Sequence, residues 1–282
     1  MKLYTWNVNG IRAISKKGFW NFMATHQPDI LAVQEIKADQ GTFEKWWQDT
    51  EQGFESDLMT EFNYGVVWNA CSIKKGYSGT AIFYRKDKFP NIKSYSLGVS
   101  KFDDEGRTTV LELEIPTKTN DQIQNKTQNL TIINCYYPQG GRPERIPFKL
   151  EFYQEVINLV NRLKTEGKTV ILCGDMNTTV ADIDLARPKQ NRKTTGCLPE
   201  EREILNSLFT TGSTDVFRFL YPDLVDKYTY WDQITRARDR NVGWRIDYFL
   251  VDNNILNQVT NCEHHDQVFG SDHCPVSVEI EI

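Results

Sequence analysis

The sequence of 282 residues lacks the features that mark membrane proteins, secreted proteins and proteins with paired cysteines. No apolar run approaches the roughly 18 residues of a membrane helix, and Met1 leads directly into strand-like residues instead of a signal peptide. The six cysteines are scattered and form no Cys-x-x-Cys pair, so we expect reduced thiols. These absences predict a bacterial-type cytoplasmic protein without membrane contact.

The sequence also has no excess of basic residues. Its formal net charge of −5 at pH 7 disfavours a protein that coats nucleic acid without specificity, because such binding needs many Lys and Arg side chains on phosphates. Basic residues nevertheless cluster at residues 187–193 (RPKQNRK) and 236–245 (RARDRNVGWR), whereas acidic residues dominate residues 49–61. This asymmetry is compatible with one basic face that binds nucleic acid locally.

Short β-branched and aromatic runs recur along the chain, as is typical of strands. They span residues 3–6, 30–33, 80–84, 108–115, 130–137, 169–173, 246–251 and 276–282. Helical patterns occupy residues 150–163, the segment around Trp20 and Met23, and the segment that starts at Pro199.

The order of these elements predicts an α/β fold with two sheets covered by helices. Residues 80–137 contain strands without a helix between them, so the sheets should be mixed instead of wholly parallel. Residues 117–128 are polar and without apolar periodicity, which indicates a solvated loop or a hairpin tip. No linker divides the chain, so residues 1–282 are expected to form a single domain.

Acids, amides and one histidine stand at the ends of apolar strands, where packing alone does not require them. They follow the strands as Asn7 and Asn9, as Glu35, as Asp175 and Asn177, and as Asp272 and His273. Singly, each of these groups is as well explained by a turn or a strand end. Because the carboxyl ends of adjacent strands converge on one crevice in an α/β sheet, we expect the four groups to share one site.

Such a site suits a hard cation and the hydrolysis of a phosphodiester. Carboxylate and amide oxygens are ligands for Mg²⁺, with Mn²⁺ as the alternative. The metal would neutralise the phosphate, a carboxylate would position or deprotonate water, and an imidazolium would steady the negative charge. Asp247 is a further acid inside an apolar strand, and we pair it with His273, whose pKa it would raise.

Eight segments together resemble the exonuclease III family of apurinic/apyrimidinic (AP) endonucleases. They are residues 6–10 (WNVNG), 34–37 (QEIK), 76–79 (GYSG), 134–140 (NCYYPQG), 174–177 (GDMN), 198–202 (LPEER), 241–248 (NVGWRIDY) and 271–273 (SDH). The segments come in the order of the family and cover the chain from end to end. The resemblance implies a DNase I-like, four-layer α/β sandwich of two packed mixed sheets, forming one catalytic domain.

The activity that the resemblance implies is Mg²⁺-dependent hydrolysis of the phosphodiester 5′ to an abasic site in duplex DNA. A 3′-5′ exonuclease or 3′-phosphodiesterase activity on blocked 3′ ends is expected as well. The protein is expected to be a monomer. The implied catalytic residues are Asn7, Tyr136, Asp175, Asn177, Asp247 and His273, and the implied metal ligands are Asn9, Glu35 and Asp272.

The resemblance gives these residues separate tasks. Asp175 would activate or orient the attacking water, His273 would contact the scissile phosphate, and Tyr136 would stabilise the transition state. Asn7 and Asn177 would bind phosphate or tune the aspartate. Asp272 would support the metal or the histidine. The number of metal ions, one or two, stays open.

The resemblance also implies a DNA-binding surface. Tyr230, Trp244 and Ile246 match the family's apolar pocket for a base-less sugar that is flipped out of the helix. The positions at which relatives hold the two DNA backbones are Gly76, Tyr77, Gln139, Arg142, Asn191 and Arg236.

Two positions depart from the family pattern. Asn9 stands where part of the family has an aspartate, which removes one negative charge from the metal site. Arg187 occupies a position at which relatives differ, within a basic loop expected near the DNA. The resemblance therefore leaves the balance between endonuclease and 3′-exonuclease activity open.

Three other functions compete with DNA repair. The same fold carries non-specific DNase I-like nucleases and phosphatases that act on inositol phosphates or sphingomyelin, but the loop of residues 136–140 and the Trp244 segment favour the repair branch. A DNA-binding module without catalysis is a second alternative, although every group that the chemistry needs is present. A zinc site would use Cys262, His264, His265, His273 and Cys274, whose spacing matches no standard zinc pattern.

Overall fold

The computed structural model describes residues 1–49, 63–119 and 122–281, and within them twelve strands form two six-stranded sheets. The strands are β1 Lys2–Asn7, β2 Ile30–Gln34, β3 Tyr64–Asn69, β4 Thr80–Arg85, β5 Ile92–Tyr95, β6 Thr108–Thr119, β7 Gln122–Tyr136, β8 Thr169–Asp175, β9 Ser213–Asp215, β10 Asp247–Asp252, β11 Val259–His264 and β12 Val276–Ile280. The first sheet has the order β11-β12-β1-β2-β4-β3, and the second β5-β6-β7-β8-β10-β9.

Both sheets are mixed, as predicted. In the first sheet β1 runs parallel to β2 and antiparallel to β12. In the second sheet β7 runs parallel to β8, and β8 runs antiparallel to β10. The two sheets pack face to face, with β1 and β2 against β7, β8 and β10.

Helices cover the outer face of each sheet. The α-helices of the described residues are α1 Ile11–Ser15, α2 Phe19–His26, α3 Gln40–Asp49, α4 Ser100–Asp103, α5 Arg145–Thr165, α6 Pro188–Asn191, α7 Pro199–Ser207 and α8 Val216–Leu220. Short 3-10 helices occupy Asp182–Asp184, Phe209–Thr211, Ala237–Arg240 and Asn253–Gln258. The helices α1 and α2 pack on the first sheet, and α5 and α7 pack on the second. The four-layer α/β sandwich is therefore confirmed.

The alternation of side chains along β1 explains how the site is positioned. Leu3 packs in the core between the two sheets, whereas Tyr4 and Trp6 face the covering helices. Because successive side chains of a strand point to opposite faces, Asn7 shares the face of Leu3 and is directed at the second sheet. The last residue of β8 in that sheet is Asp175, so strand parity alone brings the amide to the acid.

Gly174 allows β8 to reach this position. Its φ is +130°, and a Cβ atom there would lie 1.9 Å from the carbonyl oxygen of Cys135 in β7. No other residue fits directly before Asp175 without moving one of the two strands.

One prediction about the middle of the chain needs correction. The helix α4 lies between β5 and β6, so the strands of residues 80–137 do have a helix among them. Its four residues are too few to show a helical period in the sequence. Of the two alternatives predicted for residues 117–128, the hairpin is confirmed and the solvated loop is wrong, because the backbones of β6 and β7 remain paired as far as Thr119 and Gln122.

Other predictions from composition have simpler outcomes. All six cysteines are free thiols, as predicted. Across the ranges that the structure describes, no helix combines the length and apolar character needed to cross a membrane. The acidic residues 50–61 lie outside the described residues.

Candidate active site

The polar strand ends meet at one edge of the two sheets, as the sequence predicts. The amide nitrogen of Asn7 donates to Oδ2 of Asp175 at 2.9 Å and lies 3.3 Å from Oε1 of Glu35. Asn7 thereby joins β1 and the end of β2 in the first sheet to β8 in the second. Ser271 completes the edge by donating from Oγ to the Asn7 carbonyl at 2.8 Å.

Asp175 lies at the centre of this edge and is buried. Its Oδ1 accepts from the backbone N–H of Asn177 at 2.8 Å, and its Oδ2 accepts from the side chain of Asn177 at 3.3 Å. Burial, the largest effect, and the negative charge of Asp247 raise the pKa of Asp175 to about 7, against the charge of His273 and the hydrogen bond of Asn7. The carboxylate is therefore a base that takes up a proton near neutral pH.

His273 forms a buried dyad with Asp247, and the predicted pairing is confirmed. Nδ1 of the imidazole donates to Oδ2 of Asp247 at 2.8 Å, and that oxygen also accepts from Thr229 Oγ1 at 2.6 Å. Burial acts to lower the pKa of His273, but the charges of Asp247 and Asp175 outweigh it and raise the pKa to about 10. The ring is thus an imidazolium at neutral pH, with Nε2 at 3.8 Å from Oδ2 of Asp175.

Glu35 anchors the other half of the edge. Its Oε1 accepts a hydrogen bond from the Tyr136 hydroxyl. Its Oε2 is 2.6 Å from Nζ of Lys37, and the same Nζ is 2.5 Å from Oδ1 of Asn9. Burial acts to raise the pKa of Glu35, but the charge of Lys37 and the hydrogen bonds from Lys37 and Tyr136 outweigh it and hold the pKa below its usual value.

Several of these side chains leave the strands through left-handed backbone. Asn9, Glu35, Lys37 and Asn177 have φ of 47°, 54°, 53° and 50°. Such a conformation costs a non-glycine residue about 1–2 kcal/mol. Its recurrence at one edge indicates that surrounding contacts hold the site residues in place.

The donors around Glu35 fit a hard divalent cation. One cationic atom, Nζ of Lys37, already contacts both Glu35 Oε2 and Asn9 Oδ1, so these two oxygens converge on one point. Carboxylate and amide oxygens at such a point suit Mg²⁺. Asp272 contacts the same group, since its Oδ1 accepts from Asn9 Nδ2 at 3.0 Å.

A second set of potential metal ligands lies beside the first. Among the described residues, Asp175, Asp247 and His273 are the group of acid and histidine side chains whose ligand atoms all lie within 4.8 Å of one another. Two of these three groups are already joined by the hydrogen bond from His273 to Asp247. The imidazolium of His273 also neutralises much of the negative charge of the two aspartates. We therefore assign this group to proton transfer and not to metal binding.

An open pocket of about 260 Å³ adjoins the acids. It is lined by Gln139, Asn177, Thr194, Thr195, Tyr230, Asp232, Trp244 and Ile246. The three residues predicted to form a sugar pocket, Tyr230, Trp244 and Ile246, are all in this lining, and Asn177 connects it to Asp175. The predicted pocket and the predicted catalytic edge are therefore contiguous.

The positions predicted to hold DNA backbones have different surroundings. Gly76, Gln139, Arg142 and Arg236 are exposed, and Tyr77 and Asn191 are half-buried. The hydroxyl of Tyr77 accepts from the guanidinium of the buried Arg107 at 2.9 Å. The side chains of Asn191 and Arg236 make local contacts, with the Arg187 carbonyl and with Asp239 respectively.

The zinc alternative finds no geometric support. His264 stacks on Phe217 at 4.0 Å between ring centroids, whereas His265 contacts Ser277 through Nε2 at 2.8 Å. His273 is bonded to Asp247. Within the part of the chain that the structure describes, the histidines and cysteines named for zinc do not form a cluster of ligands.

Sequence reasoning missed several residues of the site. Thr229, Thr194 and Thr195 carry no distinctive spacing, and Lys37 belongs to the segment 34–37 but has no role assigned from the sequence. Lys149 and Glu201 lie in helices, where a charged residue normally indicates a solvent-facing side. Only the tertiary structure shows that both are buried.

Comparison with known proteins places this geometry among nucleases. The model of the endonuclease/exonuclease/phosphatase family matches residues 4–273. An exodeoxyribonuclease of Bacillus subtilis (strain 168) is 37% identical over 284 residues, with 100% of both chains covered. The DNA repair nuclease APEX1 of Danio rerio is 33% identical over 289 residues, covering 100% of this chain and 83% of the relative.

A solved structure shares the fold over the whole chain. The crystal structure of the AP endonuclease LMAP from Leishmania major superimposes with a TM-score of 0.83 at 28% identity, covering 100% of this chain and 87% of that one. The likeness thus extends through both sheets and their covering helices.

Proposed function

The chain belongs to the endonuclease/exonuclease/phosphatase family, and from this premise we propose that it is a DNA-repair AP endonuclease. It hydrolyses the phosphodiester 5′ to an abasic site in duplex DNA. Relatives that are 37% and 33% identical over the full chain, an exodeoxyribonuclease and a DNA repair nuclease, support a nuclease acting on DNA.

One observation carries the choice of substrate. The pocket of Tyr230, Trp244 and Ile246 opens directly beside Asp175, and Asn177 belongs to both. A flipped sugar without a base needs such a small pocket next to the reacting phosphate. A nuclease that cuts intact duplex has no need to bind an extruded sugar.

The residues of the edge perform the hydrolysis in concert. Asp175 accepts a proton from the water that attacks phosphorus, and the bond from phosphorus to the 3′ oxygen breaks. The imidazolium of His273, held by Asp247, contacts the scissile phosphate and stabilises its negative charge. The Tyr136 hydroxyl acts on the same charge, while Asn7 and Asn177 orient Asp175.

Mg²⁺ fits the Glu35 side of the edge. Glu35 and Asn9 would hold it, and Asp272 would orient the Asn9 amide through its hydrogen bond of 3.0 Å. When bound, the ion would neutralise charge on the phosphate and on the leaving oxygen, and Mn²⁺ would serve as well. The ammonium of Lys37, which contacts the same two oxygens, would have to leave them for the ion to bind.

The remaining properties follow the same proposal. Residues 1–282 act as one catalytic domain and as a monomer in the cytoplasm. Gly76, Tyr77, Gln139, Arg142, Asn191 and Arg236 hold the two strands of the duplex, and blocked 3′ ends are processed at the same edge. The exposure of four of these residues supports contact with a large ligand.

The test is cleavage of a labelled duplex that contains one tetrahydrofuran abasic analogue, with the intact duplex as control. Each duplex is incubated with Mg²⁺, and with EDTA instead. Mg²⁺-dependent incision 5′ to the analogue is expected. Equal cutting of both duplexes would reassign the protein to the non-specific nucleases, and binding without cutting would indicate a DNA-binding module.

A further inference from the structure

A completely buried ion pair lies behind the sugar pocket and has no part in the chemistry proposed so far. Lys149 in α5 and Glu201 in α7 are both 0% exposed, and Nζ lies 2.8 Å from Oε1. A buried ion pair is weak evidence for stability, because the loss of hydration offsets most of the attraction. Its local contacts therefore indicate what it does.

Lys149 reaches the catalytic edge through the backbone. Besides Glu201, its ammonium donates to the carbonyl oxygen of Asn177 at 2.8 Å. Asn177 has a left-handed φ of 50° and donates to Asp175 from its own backbone N–H. The lysine thus fixes the peptide that follows Asn177 in a conformation that the residue does not favour by itself.

Glu201 holds the opposite side of the same pocket. Its Oε1 accepts from the hydroxyl of Thr195 at 2.5 Å, and its Oε2 accepts from the backbone N–H groups of Gly196 and, at 3.2 Å, Leu198. The carboxylate therefore gathers the segment that leads into α7. Thr194 and Thr195 of this segment line the pocket.

The segment is packed without space against the pocket floor. A Cβ atom on Gly196 would lie 3.1 Å from Cζ3 of Trp244 and 3.0 Å from the Asn177 carbonyl oxygen. Glycine at φ +90° permits this close approach. Any loosening of the segment would therefore change the space above the Trp244 ring.

We infer that Lys149 and Glu201 are a positioning pair that sets the width of the sugar pocket and thereby its rejection of intact nucleotides. The inference rests on the proposed function. One ion pair fixes the two walls at once: Lys149 holds the Asn177 wall, and Glu201 holds the wall of residues 194–196. Neither side chain touches the DNA.

The same helix provides a matched control. Lys164, about four turns further along α5 and roughly 22 Å away, pairs with Asp252 at 3.2 Å and donates to the Gly212 carbonyl oxygen at 2.7 Å. This pair also joins a carboxylate and a backbone carbonyl, but it lies away from the pocket.

The experiment compares the double variants Lys149→Met/Glu201→Gln and Lys164→Met/Asp252→Asn with the parent enzyme. Removing both charges avoids a buried charge without a partner, which single variants would leave. Two Mg²⁺-dependent kcat/KM values are measured for each protein, on the tetrahydrofuran duplex and on the intact duplex. Thermal unfolding of each variant shows whether it has folded.

We expect the ratio of kcat/KM on the tetrahydrofuran duplex to kcat/KM on the intact duplex to fall about tenfold in Lys149→Met/Glu201→Gln. The widened pocket would admit intact nucleotides as well as base-less sugars. In the control pair the ratio stays within about twofold of the parent value, even where the thermal midpoint falls equally. A parent enzyme without preference for the tetrahydrofuran duplex would refute the proposed function itself. A parent with that preference, together with a folded Lys149→Met/Glu201→Gln variant of unchanged ratio, would overturn the inference alone.

Thr195→Val keeps the inference testable if the double variant does not fold. It removes only the hydrogen bond from the Thr195 hydroxyl to Glu201 and preserves the shape of the side chain. The ratio should fall by about twofold to threefold. An unchanged ratio in folded Thr195→Val would count against Glu201 as the holder of the pocket wall.

Discussion

Two buried histidines in neighbouring parts of the chain have opposite electrostatic properties. His273 and His264 are 4% and 5% exposed, so burial does not distinguish them. The pKa of His273 is raised to about 10, because the charges of Asp247 and Asp175 outweigh burial. The pKa of His264 is held well below its usual value by burial and by nearby cations such as Arg245.

The difference lies in what each ring contacts. His264 stacks on Phe217, and neither ring nitrogen has a hydrogen-bond partner among the described residues. His273 stands at the strand edge, where an acid from each of β8 and β10 is within reach. The carboxylates at the sheet edge, and not the depth of burial, therefore make one histidine an imidazolium and leave the other as a neutral packing residue.

The largest effect should come from neutralising the acid nearest the chemistry. Asp175→Asn keeps the shape of the side chain but removes the proton acceptor, so we expect kcat/KM on the tetrahydrofuran duplex to fall about 10³-fold or more. Single-turnover cleavage measures the loss, with thermal unfolding as the control for folding. A loss below about tenfold would mean that another group accepts the proton.

A smaller effect should follow from removing the partner of His273. Asp247→Asn retains the contact with the ring but not its charge, and we expect an activity loss of about 10-fold to 100-fold. The pKa of His273 should fall from about 10 towards that of an ordinary histidine. NMR titration of His273 in both proteins checks the shift, and an unchanged pKa would show that Asp247 does not supply the charge.

The pH profile of the parent enzyme tests both groups together. Below about 7, the raised pKa of Asp175, activity should fall about tenfold per pH unit as the carboxylate takes up a proton. On the alkaline side, activity should fall as His273 loses its proton at a pKa of about 10. The measurement is kcat/KM at saturating Mg²⁺ from about pH 5 to about pH 9.5, the range in which Mg²⁺ stays dissolved, and a flat acid limb would contradict the role of Asp175.

The smallest effect concerns stability and belongs to His264. The unfolded histidine takes up a proton below its ordinary pKa of 6.5, whereas the folded one does so only at much lower pH. The neutral, buried His264 therefore makes its full contribution to the free energy of unfolding above about pH 6.5, and this contribution is lost as the pH falls below that value. Between pH 7 and 5 we expect a loss of about 2 kcal/mol.

His264→Phe should remove this part of the pH dependence, because the aromatic stacking remains and the titrating group is gone. Urea unfolding at pH 7 and pH 5 measures the difference for each protein. If both proteins lose the same free energy of unfolding, a different group is responsible. Activity at pH 7 should be unchanged, since the proposed site does not include His264.

The elements that sequence predicted well are those with strong local patterns. The long helix α5 and the apolar strands β1, β2 and β8 have clear periods, and the polar residues after the strands indicated the site edge. The strands β3, β5, β9 and β11 were missed because their burial patterns are partial or their length is short. All four are edge strands of their sheets, and their sequences show a weaker apolar pattern.

The candidate site was predictable as a set of residues but not as an electrostatic arrangement. Strand parity places Asn7 beside Asp175, and the pairing of Asp247 with His273 follows from one acid in an apolar strand. The burial of Lys149 and Glu201 could not be predicted from the sequence, because charged residues in helices usually face solvent. The ammonium of Lys37 between Glu35 and Asn9 depends on left-handed turns that the sequence does not reveal.

The place of β1 between β2 and β12 makes the first sheet depend on both ends of the chain. A nascent chain that has left the ribosome as far as β10 holds Asn7, Glu35, Asp175 and Asp247, but neither His273 nor the strand that covers the free side of β1. The dyad and the sheet are completed by the same last segment. A chain that ends before residue 271 therefore lacks the dyad and an intact first sheet together.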